Sequence, residues 1–345
     1  MQQRHLGPLK VSALALGCMG MTYGYGEVHD KKQMVKLIHK ALELGINFFD
    51  TAEAYGEDNE KLLGEAIKPF RDKVVVASKF GIYYADPNDK YATMFLDSSP
   101  NRIKSAIEGS LKRLKVECID LYYQHRMDTN TPIEEVAEVM QALIKEGKIK
   151  AWGMSEAGLS SIQKAHQICP LSALQSEYSL WWREPEKEIL GFLEKEKIGF
   201  VAFSPLGKGF LGAKFEKNAT FASEDFRSVS PRFNQENLAK NYVLVELIQD
   251  HAHAKGVTPA QLALSWILHT QKIIVPLFGT TKESRLIENI GALQVSWSQK
   301  ELEIFQKELT AIKIEGTRYP ERINEMVNQI KVLGIYNCIG SFKRD

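Results

Sequence analysis

The chain has 345 residues, with 44 lysines and arginines against 43 aspartates and glutamates, a formal net charge of +1, and 44% hydrophobic residues. That length suits two ordinary domains or one large α/β barrel. So balanced a charge argues against a nucleic-acid binder, which needs surplus cations to displace phosphate counterions.

Cys18, Cys118, Cys169 and Cys338 are scattered without a C-x-x-C pair, and the opening MQQRHLGPLK carries no apolar leader. No run reaches the ~18 apolar residues a membrane helix needs. A soluble, cytoplasmic protein with reduced thiols and no membrane partner is the expectation.

Arg4–Val11 reads as a hairpin around Gly7-Pro8. Short apolar runs follow at Leu14–Cys18, Asn47–Asp50, Val74–Lys79, Asp120–His125, Lys150–Ser155, Ala173–Tyr178, Phe200–Pro205 and Ile273–Phe278. Between them lie segments with apolar residues three and four apart, such as Met34, Leu37, Ile38 and Ala41, then Ile103, Ala106 and Ile107, then Val136, Val139, Met140 and Leu143. Strands alternating with helices imply crossover connections and a parallel sheet covered on both faces. Eight such pairs predict a closed (β/α)8 TIM barrel of ~250 residues; an open doubly wound sheet is the alternative. Outside the alternation are the N-terminal hairpin, a long loop over Gly81–Pro100 carrying Tyr83, Tyr84, Tyr91 and Phe95, a polar irregular stretch over Lys208–Phe233, and a C-terminal helical extension after Ser298. Loops of this length in a compact α/β protein shape sites. With no repeat or Pro/Ser-rich linker, residues 1–345 read as one barrel domain.

Ser160–Gln163 and Ser298–Glu301 have capping-box form, and Thr258-Pro259 sets a cap before a proline at the first helical position. Gly45, Gly147 and Gly199 follow helical runs, where a left-handed residue is wanted.

Gly207-Lys208-Gly209-Phe210-Leu211-Gly212 matches G-x-G-x-x-G. A Rossmann loop must open a helix and be followed by an acidic residue about twenty positions on. The next residues, AKFEKNATFASEDF, lack helical periodicity, and the motif arrives late in the chain. A phosphate loop late in a barrel is the better reading, with a flexible turn as the plain one.

Strand C-termini face the active site of such a barrel. They carry Asp50, Lys79 and His125, with Tyr55 five residues past Asp50. Singly, each has an ordinary explanation: a cap, an ion pair, a core histidine, a loop aromatic. Together at one rim they can do chemistry. A phenol with a pKa of ~10 is a poor acid near neutrality, but the Lys79 ammonium stabilises the phenolate and lowers that value, poising Tyr55 as a general acid. Asp50 keeps Lys79 charged, and His125 donates to a substrate oxygen as negative charge develops there. Two donors aimed at a C=O suit carbonyl reduction by an external hydride.

The quartet Asp50, Tyr55, Lys79 and His125 resembles the catalytic tetrad of the aldo-keto reductase superfamily, and NFFDTAEAYG, LYYQHRMD, GKIKAWGMSE, LQSEYSL, VAFSPLGKGFLG and VPLFGTTKESRLIENIGAL are similar to that family in its order. QHRMDTNTPIEE resembles the branch of plant auxin-induced-type and perakine-reductase-type proteins. The resemblance implies an NADPH-dependent reductase of small-molecule aldehydes and ketones with Tyr55 as proton donor. It implies that Ser155 and Gln175 hold the nicotinamide carboxamide and that Phe203 stacks on the nicotinamide. It also implies that Gly17 and Met19 contact the cofactor, that Ser204, Leu206, Gly207 and Gly209 follow the pyrophosphate, and that Gly279, Thr280, Thr281, Lys282, Arg285, Glu288 and Asn289 hold the adenosine end. Lys282 and Arg285 at a helix start also suit a ribose 2′-phosphate. Glu156 stands where many members have Asn, and Gly17-Cys18-Met19 replaces a Gly-Thr-Trp-like string.

His251 and His253 lie two apart on a helix and so face different ways, which speaks against a metal site. Cys18 reads as a small apolar residue near the cofactor, or as a redox-sensitive one. Trp181-Trp182 belongs to a substrate wall or an interface. A regulatory or redox-sensing subunit on the same barrel, and an isomerase or aldolase using Lys79 as a Schiff base, are the competing functions.

Overall fold

In a parallel strand covered on both faces, successive residues point alternately into and out of the barrel, and that alternation places the site. The computed structural model describes residues 1–25, 29–86, 93–321 and 323–324; Tyr91, Cys338 and the chain beyond residue 324 lie outside the described residues. The N-terminal hairpin forms from β1 (Gln3–Leu6) and β2 (Leu9–Ser12). The chain then runs through β3 (Ala15–Gly17), α1 (Lys31–Glu43), β4 (Phe48–Asp50), α2 (Glu57–Ile67) and β5 (Val75–Phe80). After β6 (Ile82–Tyr84) and β7 (Met94–Leu96) come α3 (Pro100–Leu114), β8 (Ile119–Gln124), α4 (Ile133–Lys145), β9 (Ile149–Ser155), α5 (Leu159–Ile168) and β10 (Ala173–Glu177). α6 (Ile189–Lys195), β11 (Gly199–Phe203), α7 (Gln235–Lys255), α8 (Pro259–Thr270), β12 (Ile274–Gly279), α9 (Glu283–Ile290) and α10 (Gln299–Ala311) complete the order.

The parallel strands close as β3-β4-β5-β8-β9-β10-β11-β12 and back to β3, so the fold is the (β/α)8 barrel and not the open sheet. The inward set includes Ala15, Phe48, Ala77, Leu121, Tyr123, Ala151, Ala173, Val201 and Val275. Their outward neighbours Leu16, Phe49, Val76, Tyr122, Trp152, Leu174, Phe200 and Ile274 pack under the helices. The N-terminal hairpin contributes Leu6, Leu9 and Val11 to the inner set and so plugs the barrel. The Arg4 guanidinium donates to the Leu268 and Gln271 carbonyls at the end of α8, 2.8 and 2.7 Å away, a favourable place for a cation.

Thr258–Gln261 and Ser298–Glu301 form full capping boxes. Ser160 does not cap: α5 begins at Leu159 after an extended Gly158, which puts Ser160 inside the first turn. Gly45 and Gly147 take positive φ, but Gly199 does not; Lys197 is the left-handed residue there. Gly199 instead opens β11 against the hairpin, where a Cβ would lie 2.2 Å from Leu6 Cδ2 and 3.0 Å from the His5 carbonyl oxygen. The loop over residues 81–100 is not structureless, since β6 and β7 pair antiparallel within it. The stretch over residues 208–233 is irregular, as expected, but not merely polar: Phe210 and Phe233 are buried beside Trp181.

At Gly153 the barrel wall is closely packed, and a Cβ would sit 2.4 Å from the Ala173 carbonyl oxygen and 2.6 Å from the Tyr123 ring. Gly153→Ala should therefore cost at least the ~1–3 kcal/mol typical of overpacking, read as a lower urea midpoint with an unchanged slope; a wild-type midpoint would contradict this packing.

Candidate active site

The same alternation that buries Ala77 and Leu121 turns the last inward position of each strand toward one end of the barrel. Asp50 ends β4, Lys79 is the inward residue two past Ala77, and His125 follows β8 two past Tyr123. Ser155 ends the inward row of β9 and pairs in register with Gln175, two residues before the end of β10, and Phe203 ends β11. Tyr55 comes from a single 3-10 turn over Glu53–Tyr55, set off from α2 by Gly56 at φ 94°.

These residues meet. Lys79 is fully buried and its ammonium has three donors; they reach the Asp50 carboxylate, the Thr51 carbonyl oxygen at 2.8 Å and the Tyr55 phenol oxygen at 3.4 Å. Asp50 accepts a second bond from Gln175 Nε2 at 2.9 Å. The Tyr55 oxygen accepts from Lys79, so its own hydrogen is left to donate elsewhere. The His125 ring stands edge-on to Tyr55, centroids 5.7 Å apart, and its buried Nδ1 has no partner among the described residues.

Burial and charge set the protonation states. Burial pulls the Lys79 pKa down, but Asp50 and Tyr55 outweigh it and leave the group above its ordinary value, hence an ammonium. Burial drives His125 well below its ordinary range, helped by the Arg126 and Lys79 charges, so it is a neutral imidazole. For Tyr55 the expected lowering is overturned. Burial raises the phenol, Lys79 opposes it, Asp50 adds to the rise, and the net value lies above 10. The ammonium therefore offsets part of a desolvation cost rather than making an acidic phenol. Cys18 is fully buried and its thiol is also pushed up, which favours its reading as a small apolar residue.

A cavity of about 550 Å³ runs from Asp50, Tyr55 and His125, past Ser155, Gln175 and Phe203, to Thr280, Lys282 and Arg285. Gly17, Met19, Ser204, Leu206, Gly209, Gly279, Thr281, Glu288 and Asn289 also line it. Two of the expected residues do not. Lys79 lies beneath the wall, and Gly207 is packed against Trp181, where a Cβ would approach the ring to 2.9 Å. The Gly207–Gly212 segment is a run of 3-10 turns with Lys208 and Gly209 at positive φ, not a helix start. Lys282 precedes the first turn of α9 and has no side-chain cap over it. Among the described residues neither Lys282 nor Arg285 makes an ion pair, whereas Glu288 meets Lys214 at 3.4 Å. Free cations beside free helix N–H groups, at the far end of a long pocket, fit a phosphorylated dinucleotide.

Several pocket residues were not foreseen. Arg126 donates to the His125 carbonyl oxygen at 2.7 Å and to Ser155 Oγ at 3.1 Å; its place beside His125 was the available signal. Tyr23 stacks on Tyr55 with centroids 5.9 Å apart. Tyr319, Phe226, Arg227 and Lys208 also line the cavity; Lys208 lies inside the glycine motif, and no motif marks the other three. Glu156 turns its carboxylate to Arg318 at 2.6 Å and to the Glu177 N–H at 2.8 Å. Neither tryptophan lines the cavity: Trp181 is core, stacked on Phe210 at 4.8 Å, and Trp182 carries the Arg232 and Arg318 guanidiniums over its ring. His251 pairs with Glu308 at 2.6 Å, and the described residues hold no cluster of three or more metal-ligating side chains. No helix among them is long and apolar enough to cross a membrane.

A sequence profile for the Aldo/keto reductase family matches residues 13–309. A soybean (Glycine max) protein named probable aldo-keto reductase 1 is 42% identical over 328 residues, which cover 92% of this chain and 93% of that protein. The structure of a glycerol dehydrogenase from Gluconobacter oxydans superposes with a TM-score of 0.82 at 30% identity, covering 92% of this chain and 98% of that one. An aldo/keto reductase from Klebsiella pneumoniae, solved with NADP and acetate, has the same fold at a TM-score of 0.68 and 23% identity, over 90% of this chain and 95% of that one.

A neutral buried histidine makes stability pH-dependent. His125 binds a proton in the unfolded chain below about pH 6.5 but not in the folded one, so its contribution is present above that pH and is lost as pH falls toward the lowered folded value. Between about pH 6.5 and pH 5.5 it should add up to about 1.4 kcal/mol of destabilisation per pH unit. His125→Gln should remove that part of the slope in denaturant midpoints; a slope identical to wild type would show that His125 is protonated in the fold.

Proposed function

The chain belongs to the aldo/keto reductase family, and from that premise we propose that it reduces aldehyde and ketone carbonyls to alcohols with NADPH, Tyr55 giving the proton. The observation that carries the reading is the single ammonium of Lys79 shared by Asp50 and Tyr55 at the end of the cavity where Tyr55 and His125 face the same space. NADPH supplies a hydride for the carbonyl carbon.

The protein's part is the oxygen. As negative charge grows there, the Tyr55 O–H proton moves to it, and the phenolate left behind is held by Lys79. Neutral His125 donates an N–H to the same oxygen without competing as an acid. With no proton to lose near neutrality, it orients the carbonyl, and Tyr55 remains the donor. Asp50 keeps the ammonium charged, and the Asp50–Gln175 bond ties it to the strand that we assign to the carboxamide, together with Ser155. A Schiff base on Lys79 fits poorly, because that reaction needs a neutral amine and all three donors of Lys79 are engaged. Phe203 forms the stacking wall, the Ser204–Gly209 turn takes the pyrophosphate with Gly207 acting through its packing, and Lys282 and Arg285 hold the 2′-phosphate.

Tyr55→Phe keeps the ring and its stacking but removes the proton. Turnover of an aromatic aldehyde, followed as NADPH absorbance, should fall at least ~10²–10⁴-fold, while NADPH binding, followed by fluorescence quenching, stays near wild type. Retained turnover would sink the proposed role. Arg285→Ala should weaken NADPH by about tenfold or more and leave NADH within about twofold, since a charge-assisted phosphate contact is lost for one cofactor alone. An equal loss for both would mean that Arg285 does not read the 2′-phosphate.

A further inference from the structure

Beside the cavity, outside the Asp50–Tyr55–Lys79–His125 cluster, lies a second group of buried charges. Glu156 and Glu177 sit at the ends of β9 and β10; Arg232 closes the irregular stretch before α7; Arg318 comes from the segment after α10. Arg318 donates to Glu156 at 2.6 Å and to Glu177 at 3.3 Å, and Arg232 donates to the other Glu177 oxygen at 3.2 Å. Both guanidiniums lie over the Trp182 ring, 4.3 and 5.1 Å from its centroid. The same segment is tied to α7 by the Asn241 amide, which pairs with the Glu315 carbonyl and N–H at 2.9 and 2.8 Å. Arg232 Nε reaches the Gly316 carbonyl at 3.4 Å. The next residue after Arg318 is Tyr319, buried, lining the cavity, with the Lys208 ammonium 5.5 Å and the Phe226 ring 6.2 Å from its own ring.

Glu156 adopts φ 54°, a conformation that costs a side-chain-bearing residue energy. In this conformation its carboxylate accepts from Arg318 and from the Glu177 N–H. Resting on the proposed carbonyl reduction, we propose that Glu156 and Arg318 are positioning residues. They fasten the C-terminal segment to the strand end that carries Ser155, so that Tyr319 is held as a wall of the cavity that Tyr55 and His125 also line and sets how tightly a bulky carbonyl compound is held. Arg318 touches no reacting group; it acts through Tyr319. The effect therefore falls on substrate binding, not on the chemical step.

The test uses the full chain. Arg318→Met alone strands a buried carboxylate, which is strongly destabilising, so the working variant is Glu156→Gln with Arg318→Met, which removes both charges together. Hydrogen exchange of residues 315–320 should speed up about tenfold or more in this variant, because the fastening is local. KM for a bulky aromatic aldehyde should rise about tenfold, with kcat and NADPH affinity within about twofold, as expected when binding common to ground and transition states is lost. Tyr319→Ala should reproduce the KM change while the exchange of residues 315–318 stays at the wild-type rate. Unchanged exchange in the double variant overturns the proposal, as does a parallel fall of kcat and NADPH affinity. If the wild-type chain reduces no carbonyl, the proposed function fails; wild-type exchange rates in the double variant would then refute the fastening by themselves.

Discussion

The site is organised around one buried ammonium. Taking Lys79 out of water is costly, and it is tolerable only because every donor finds an oxygen and one of those oxygens belongs to a carboxylate. That requirement fixes more than Lys79. Asp50 must end β4 facing inward, the Thr51 carbonyl must turn down toward the barrel axis, and the Glu53–Tyr55 turn must bring the phenol within reach. The strand register supplies the rest: Asp50 pairs with Ala77, two residues before Lys79, and Lys79 pairs with Tyr123, two residues before His125. A slip of one residue would turn these side chains outward under the helices.

The electrostatics follow from the same burial. A phenol surrounded by protein resists ionisation, and His125 resists protonation, so at neutral pH the pocket end presents two neutral donors above one fixed cation. The cation's value lies in what it does when charge appears: it offsets the desolvation of a phenolate that would otherwise be inaccessible. Away from that end the cavity is lined by further cations, among them Lys208 and Arg227 and, beside Thr280 and Thr281, Lys282 and Arg285. A long slot lined by cations along its length suits an elongated anionic ligand.

Much of this could be read from the sequence because it rests on short-range regularities. Period-two alternation in NFFD, VVVASK and DLYYQH is enough to put Asp50, Lys79 and His125 on one interior face, and closure of the barrel brings them together. Capping at Thr258 and Ser298 was legible for the same reason. What escaped depends on residues far apart in the chain. Gly199 looks like a helix terminator, but its constraint is Leu6 of the hairpin, nearly two hundred residues away in sequence. Trp181 and Trp182 look like a surface pair, but one packs on Phe210 and the other under two arginines. The direction of the Tyr55 shift also required coordinates, since the charge of Lys79 was evident and the extent of burial was not.

The two buried ionic groups solve different problems. Around Lys79, the buried charge serves the proton transfer we propose, and all its partners come from the barrel and the turn leaving β4. Around Glu156 and Glu177, charge is buried to join segments that the barrel does not itself hold: a long connection and the chain after α10. Apolar packing alone could seat those segments, and replacing buried ion pairs with apolar residues is often neutral or stabilising. What ions add is direction. An arginine bridging two carboxylates from neighbouring strands accepts one register, whereas a greasy contact accepts several. A pocket wall that must present Tyr319 in one place, on a segment with little secondary structure, has reason to use the costlier fastening.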